Sequence, residues 1–88
     1  MENEIAKIDS LIVKQAVRDV ASKNPKLSKQ AVLYFYSKDF LDLCSRNKID
    51  SNAITRSIKE LVSFPMISKK KIANDIAKII DSSFVREV

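Results

Sequence analysis

The sequence predicts an all-α fold: a single small helical domain of three to four helices spanning residues 1–88. Three observations lead there. The 88 residues contain no glycine and only two prolines, Pro25 and Pro65, whereas tight β-hairpins lean on glycine. Apolar residues recur at i, i+3 and i+4 over four stretches. Short polar segments with Ser, Asn and Asp separate those stretches, and these residue types cap helices.

The spacing predicts a first helix from about Ile5 to Ser22. Ile5, Ile8, Ile12, Ala16 and Val20 form one apolar stripe, widened by Val13, Val17 and Ala21. Lys7, Lys14 and Arg18 fall off that stripe. "SKNPKLSK", Ser22 to Lys29, reads as a loop, because Pro25 disfavours helix at Asn24. Ser28 is then the expected cap of a second helix starting at Lys29, with Val32, Phe35, Tyr36, Phe40, Leu43 and Cys44 on its apolar face. Asn47, Asp50 and Ser51 interrupt the stripe, so Asp50 or Ser51 should cap a third helix carrying Ile54, Ile58, Leu61 and Val62. The alternative is one long helix from Lys29 to Val62, which neither glycine nor proline forbids. Pro65 ends this segment. A last helix runs from about Lys69 to Asp81 behind the cap Ser68, and Phe84 and Val85 can pack back on the core.

Composition removes several function classes. There is no histidine, the commonest general acid–base group, and the acidic residues are scattered singly, so the chain reads as no enzyme. Without glycine it holds no Gly-rich nucleotide-binding loop. One cysteine and no histidine exclude an internal disulfide and a metal cluster of the usual spacing. Neither a cofactor nor a small-molecule substrate is expected. Cys44, at helical spacing from Phe40 and Leu41, reads as core filler. Tyr34, Phe35 and Tyr36 could stack on bases, but an aromatic stripe at this spacing reads first as core. "MENEIAKID" lacks the apolar run of a signal peptide, and no segment is long enough to cross a bilayer. The expectation is an intracellular chain, in the cytoplasm and nucleoid or in the nucleus, without membrane contact.

The charge is informative. Sixteen Lys and Arg against eleven Asp and Glu give a net charge of +5, a balance that suits contact with a polyanion. Lysine outnumbers arginine three to one, which favours phosphate attraction over bidentate base reading. Lys69, Lys70 and Lys71 fill the expected first turn of the last helix, where the dipole favours acids. A phosphate would reverse that penalty, since backbone N–H and ammonium groups would then converge on one anion. Lys23, Lys26 and Lys29 make a second basic cluster around the first loop. These six lysines are the candidate nucleic-acid contacts.

A basic loop before a long helix, and another before a short final helix, resembles the DNA-contacting arrangement of histone-fold proteins. "ISKKKIANDIAKIIDSSFVREV" is similar to the last helix and tail of the histone-fold subunits of the CCAAT-binding factor and of DNA polymerase epsilon. Ile72-Ala73, Ile76, Phe84-Val85 and Glu87-Val88 follow that family's order, and "LSKQAV", Leu27 to Val32, resembles its approach to the central helix. Lys71 stands where the family usually carries an acid. The resemblance implies a histone-fold-like domain, with a compact four-helix bundle as the alternative. It also implies an accessory subunit in chromatin, transcription or replicative-polymerase work, paired with itself or another chain and gripping duplex DNA without sequence preference. Two other readings stand beside it. One is a helix-turn-helix or winged-helix regulator with Asn52, Thr55, Arg56 and Lys59 on its recognition helix. The other is a pure protein-interaction adaptor.

Overall fold

The structure is a computed structural model and describes residues 2–84, with side chains from residue 7 onward. Among the described residues the chain forms five α-helices and no strand: α1 (Glu2–Val20), α2 (Pro25–Tyr34), α3 (Lys38–Arg46), α4 (Ser51–Ser63) and α5 (Met66–Phe84). The all-α expectation holds, in one compact domain with a single core. The helices number five because the expected second segment divides.

The division has a local cause. The amides of Phe35, Tyr36 and Ser37 bond three residues back, to Val32, Leu33 and Tyr34, which tightens the chain out of the α-ladder. Ser37 then starts α3: its Oγ accepts from the Phe40 amide at 3.3 Å and donates to the Tyr34 carbonyl at 2.6 Å. One hydroxyl thus closes α2 and opens α3. Asp50 caps α4 by accepting from the Asn52 amide at 3.0 Å, so the break around Asn47–Asp50 is real and no helix runs from Lys29 to Val62.

Two expected starts move upstream. Asn24, not Ser28, caps α2; its Oδ1 accepts from the amides of Lys26 and Leu27 at 3.0 and 3.4 Å. Pro25 then occupies the first helical position, where its missing N–H costs nothing. Ser28 instead donates its Oγ to the Val20 carbonyl at 2.7 Å, satisfying the end of α1. Likewise α5 starts at Met66 rather than behind Ser68, and the Pro65 carbonyl accepts from the amides of Ser68 and Lys69 at 3.0 and 3.2 Å. Its other end runs on to Phe84, which is buried as expected; Val85 lies outside the described residues.

The α3–α4 connection holds the one described backbone position with positive φ. Lys48 sits at φ 57°. The Ile49 amide bonds the Cys44 carbonyl at 2.9 Å and the Lys48 amide bonds Ser45 at 3.2 Å. This is a Schellman closure of α3 with lysine where glycine is usual.

The core gathers Val13, Val17 and Val20 of α1, Ala31 of α2 and Phe35 just after it, Phe40, Leu43 and Cys44 of α3, Ile58 and Leu61 of α4, and Ala73, Ile80 and Phe84 of α5. Tyr34, Phe35 and Phe40 meet edge to face, with ring centroids 5.0–5.6 Å apart. Phe35 and Phe40 are buried and Tyr34 packs against them, so they offer no base-stacking platform; Tyr36 points outward alone. In α1 the buried face is not the Ile8–Ile12 stripe. Helix α1 turns Val13, Val17 and Val20 inward and leaves Ile8, Leu11 and Ile12 exposed, the last two lining a groove of about 620 Å³ shared with α2.

Packing orients the helices. Asp81 of α5 accepts from Ser10 and Lys14 of α1 at 3.3 and 3.1 Å. Near the same end, Asp50 and Ile54 of α4 share a groove with Ile76, Ile80 and Ser83 of α5. Val17 and Val20 of α1 and Ala73 and Ala77 of α5 are buried as well, and with Asp81 placed at Ser10 and Lys14 these stretches overlap only if the two helices run in opposite directions. Helices α1 and α5 therefore run antiparallel, and α4 runs antiparallel to α5. The end of α1, the start of α2, the end of α4 and the start of α5 lie together at one end of a molecule 38 Å long and 24 by 19 Å across.

Candidate nucleic-acid interface

That end is the basic one. Lys23 lies in the α1–α2 connection, and Lys26 and Lys29 lie on the first two turns of α2, all exposed. Lys70 and Lys71 are exposed and Lys69 is half-buried on the second turn of α5. The fold thus brings the two expected clusters to the same end. Among the described residues, none of the six lies within ion-pair distance of a carboxylate: the ion pairs there are Lys14–Asp81 and Arg46–Asp9. Arg18 and Lys59 add charge at this end, against Asp19 and Glu60. The opposite end carries Asp9, Asp39, Asp42, Asp50 and Asp81 alongside Lys7, Lys14, Lys38, Arg46 and Lys48, so the two signs balance there, and the excess of positive charge lies at the lysine-rich end.

The geometry corrects one part of the expected chemistry. Lys69, Lys70 and Lys71 are not in the first turn, because α5 starts three residues earlier. Their amides lie within the helical ladder, Lys69 bonding Pro65, and the dipole penalty fades beyond the first turn. At α2 the amides of Lys26 and Leu27 are held by Asn24. Neither junction is therefore a cradle of backbone N–H groups with lysines around it. What remains is a surface of ammonium groups on flexible stems, suited to phosphates as point charges and to no particular base.

Sequence reasoning missed a buried polar lock between α1 and the end of α3. Asp9 is 2% exposed. Arg46 donates to its two oxygens through Nε and Nη2 at 2.8 and 2.6 Å, and Asn47 donates through Nδ2 at 2.7 Å. The Arg46 hydrogen bonds hold the Asp9 carboxyl below its ordinary pKa, against the upward push of burial, and Asn47 adds to the lowering. The same contact raises Arg46. The lock fastens the end of α3 to the first half of α1, far from the lysines. It is a fold-positioning contact with no open coordination or cleft.

The other candidates for chemistry are closed. Cys44 is buried, and burial pushes its thiol up to about 11, so it is protonated and inert at neutral pH. Among the described residues, no group of three or more His, Cys, Asp or Glu gathers as a metal site, and no helix is long and apolar enough to cross a membrane. On α4, Asn52, Arg56 and Lys59 are exposed, while Thr55 is half-buried and donates its Oγ1 to the Ser51 carbonyl at 2.8 Å. No family model, no curated protein and no solved structure matches the chain.

Proposed function

We propose that this chain is a small, basic, non-enzymatic helical accessory subunit of a DNA-handling complex inside the cell. Lys23, Lys26, Lys29, Lys69, Lys70 and Lys71 contact the phosphate backbone of duplex DNA without reading sequence. Replication, chromatin and transcription are the settings that the histone-fold resemblance implies. The reading itself does not draw on that resemblance, since the two 19-residue helices stand first and last and the three between them are shorter.

The observation that supports it is the antiparallel packing of α1 and α5, which gathers two lysine clusters at one end with no carboxylate among the described residues paired to them. Counterion release from the DNA then supplies affinity. The exposed Leu11 and Ile12, which line the α1–α2 groove, with Ile8 one turn before them, are a surface through which such a subunit would join its complex. Replacing Lys69, Lys70 and Lys71 by Glu should weaken retention on a labelled random-sequence duplex by more than about tenfold. The thermal midpoint should change little, because these side chains support no described contact. Unchanged retention in that triple variant would remove the reading.

A second reading has one observation behind it. Helices α3 and α4 are joined by four residues, with Lys48 in the left-handed region, and α4 exposes Asn52 and Arg56. This matches the connection of a helix-turn-helix. Against it, Asp39, Asp42 and Asp50 offset Lys38, Arg46 and Lys48 around that connection, so it lacks the excess of cations found at the other end. If α4 reads bases, Arg56→Ala abolishes preference among duplex sequences; under the first reading there is no preference to abolish.

A further inference from the structure

The basic end also carries an apolar corner that phosphate contact leaves unexplained. Where α4 passes into α5 the chain reads "VSFPMI": Val62, Phe64 and Met66 are about half exposed, and Ile67 is 92% exposed. No other described large apolar side chain stands so far out. Lys70 and Lys71 follow Ile67 at i+3 and i+4, so all three share one helix face. The rise of 1.5 Å per residue sets the lysines about 4.5–6 Å behind Ile67 along the axis. Helical side chains lean toward the N-terminus, which brings the ammonium groups forward to flank the isoleucine. Lys23 and Lys26 lie at the same end.

We infer that this corner is a wedge for duplex DNA: Ile67 enters between base pairs from the minor groove while the lysines hold the phosphates on either side. The inference rests on the phosphate-contact reading above and adds what the protein does to the DNA. The complementarity is layered. Duplex DNA presents anionic phosphates outside and apolar base faces within, and the corner presents lysines set back from an aliphatic tip. A helix is about 10–12 Å across and the minor groove about 6 Å wide, so Ile67 reaches the stack only where the groove opens and the step unstacks. Insertion of Ile67 and kinking are therefore one event, while the phosphate contacts supply most of the affinity. An anionic bilayer has the same layering, but it rewards apolar area and interfacial Trp or Tyr. Here only one side chain projects fully, the chain has no tryptophan, and its two tyrosines, Tyr34 and Tyr36, lie at the far end of α2.

The test uses the full chain with a duplex of about 25 base pairs labelled at both ends, reading retention by anisotropy and bending by energy transfer. The wild-type chain should retain the duplex and bend it by an angle within the roughly 20–90° of wedge-inserting proteins. Ile67→Ser, an exposed position whose change should leave the thermal midpoint in place, should keep retention within about threefold, since phosphate contacts dominate affinity, and lose the bend. Retention without a bend, or a bend that survives Ile67→Ser, overturns the wedge and leaves the phosphate reading standing. No retention overturns both. Sedimentation with phosphatidylserine vesicles that Ile67→Ser abolishes, in a chain that leaves DNA straight, assigns the corner to a bilayer and likewise overturns the wedge.

Discussion

Two residues carry more of the architecture than their types suggest. Lys48 takes the left-handed position that closes α3, where a Cβ is a steric cost and glycine has none. Lys48→Gly should therefore raise stability by about 1 kcal/mol, a rise of roughly 4–8 °C in thermal midpoint for a chain of this size; an unchanged or lower midpoint would show that the position is unstrained. Asp9 is the other. Its folded pKa lies below its unfolded one, so its contribution to stability is present above the ordinary carboxylate range and is lost as pH falls through the lowered value. Asp9→Ala should cost about 2 kcal/mol at pH 7, by removing charge-assisted hydrogen bonds from a buried site. The penalty should shrink as pH falls below the ordinary carboxylate range, which urea midpoints at neutral and at acid pH would reveal. Cys44 gives a third check: with its thiol pushed up to about 11 inside the core, a thiol reagent at pH 8 should label it only at the rate of unfolding.

At the scale of elements, caps decide where helices begin. Ser37→Ala should cost about 1 kcal/mol, since it removes the hydroxyl shared by the end of α2 and the start of α3; equilibrium unfolding by denaturant measures it. The same logic explains what was legible in the sequence. Asp50 before an apolar run, and a glycine-free chain, were enough for the α-class and for the break before α4. "YSKDF" held a start signal too, Ser37 followed by Asp39 in the first turn, but the apolar spacing of Phe35, Tyr36 and Phe40 runs straight through it. Asn24-Pro25 and Pro65-Met66 are also helix starts. Each was masked by a serine three or four residues later with a lysine after it. The inward face of α1 was hidden for a different reason. Ile8 and Ile12 are more apolar than Ser10, yet Ser10 faces Asp81 and the valines fill the core. Periodicity finds a stripe but does not choose between two adjacent ones, and the choice was made by what α5 brings.

For the whole molecule, the antiparallel pairing of α1 and α5 turns two basic segments, about forty residues apart in the chain, into one surface. The lysines themselves were legible in the sequence; their convergence was not, because it depends on helix direction, and the location of Asp9's partner on α3 was equally out of reach. Cations outnumber carboxylates at the lysine-rich end and balance them at the other, so a polyanion should meet the lysine-rich end first. Contact through that end leaves the apolar wall of the α1–α2 groove, Leu11 and Ile12, exposed.

The central claim is that the gathered lysines bind phosphates as point charges, and the most direct test is how affinity for random-sequence duplex DNA varies with salt. A plot of log affinity against log salt from 50 to 200 mM should be linear with a slope of about −3.6 to −5.4, the range for four to six neutralised phosphates. It should be the same for unrelated sequences. A slope near zero, or no retention at 50 mM salt, would contradict it.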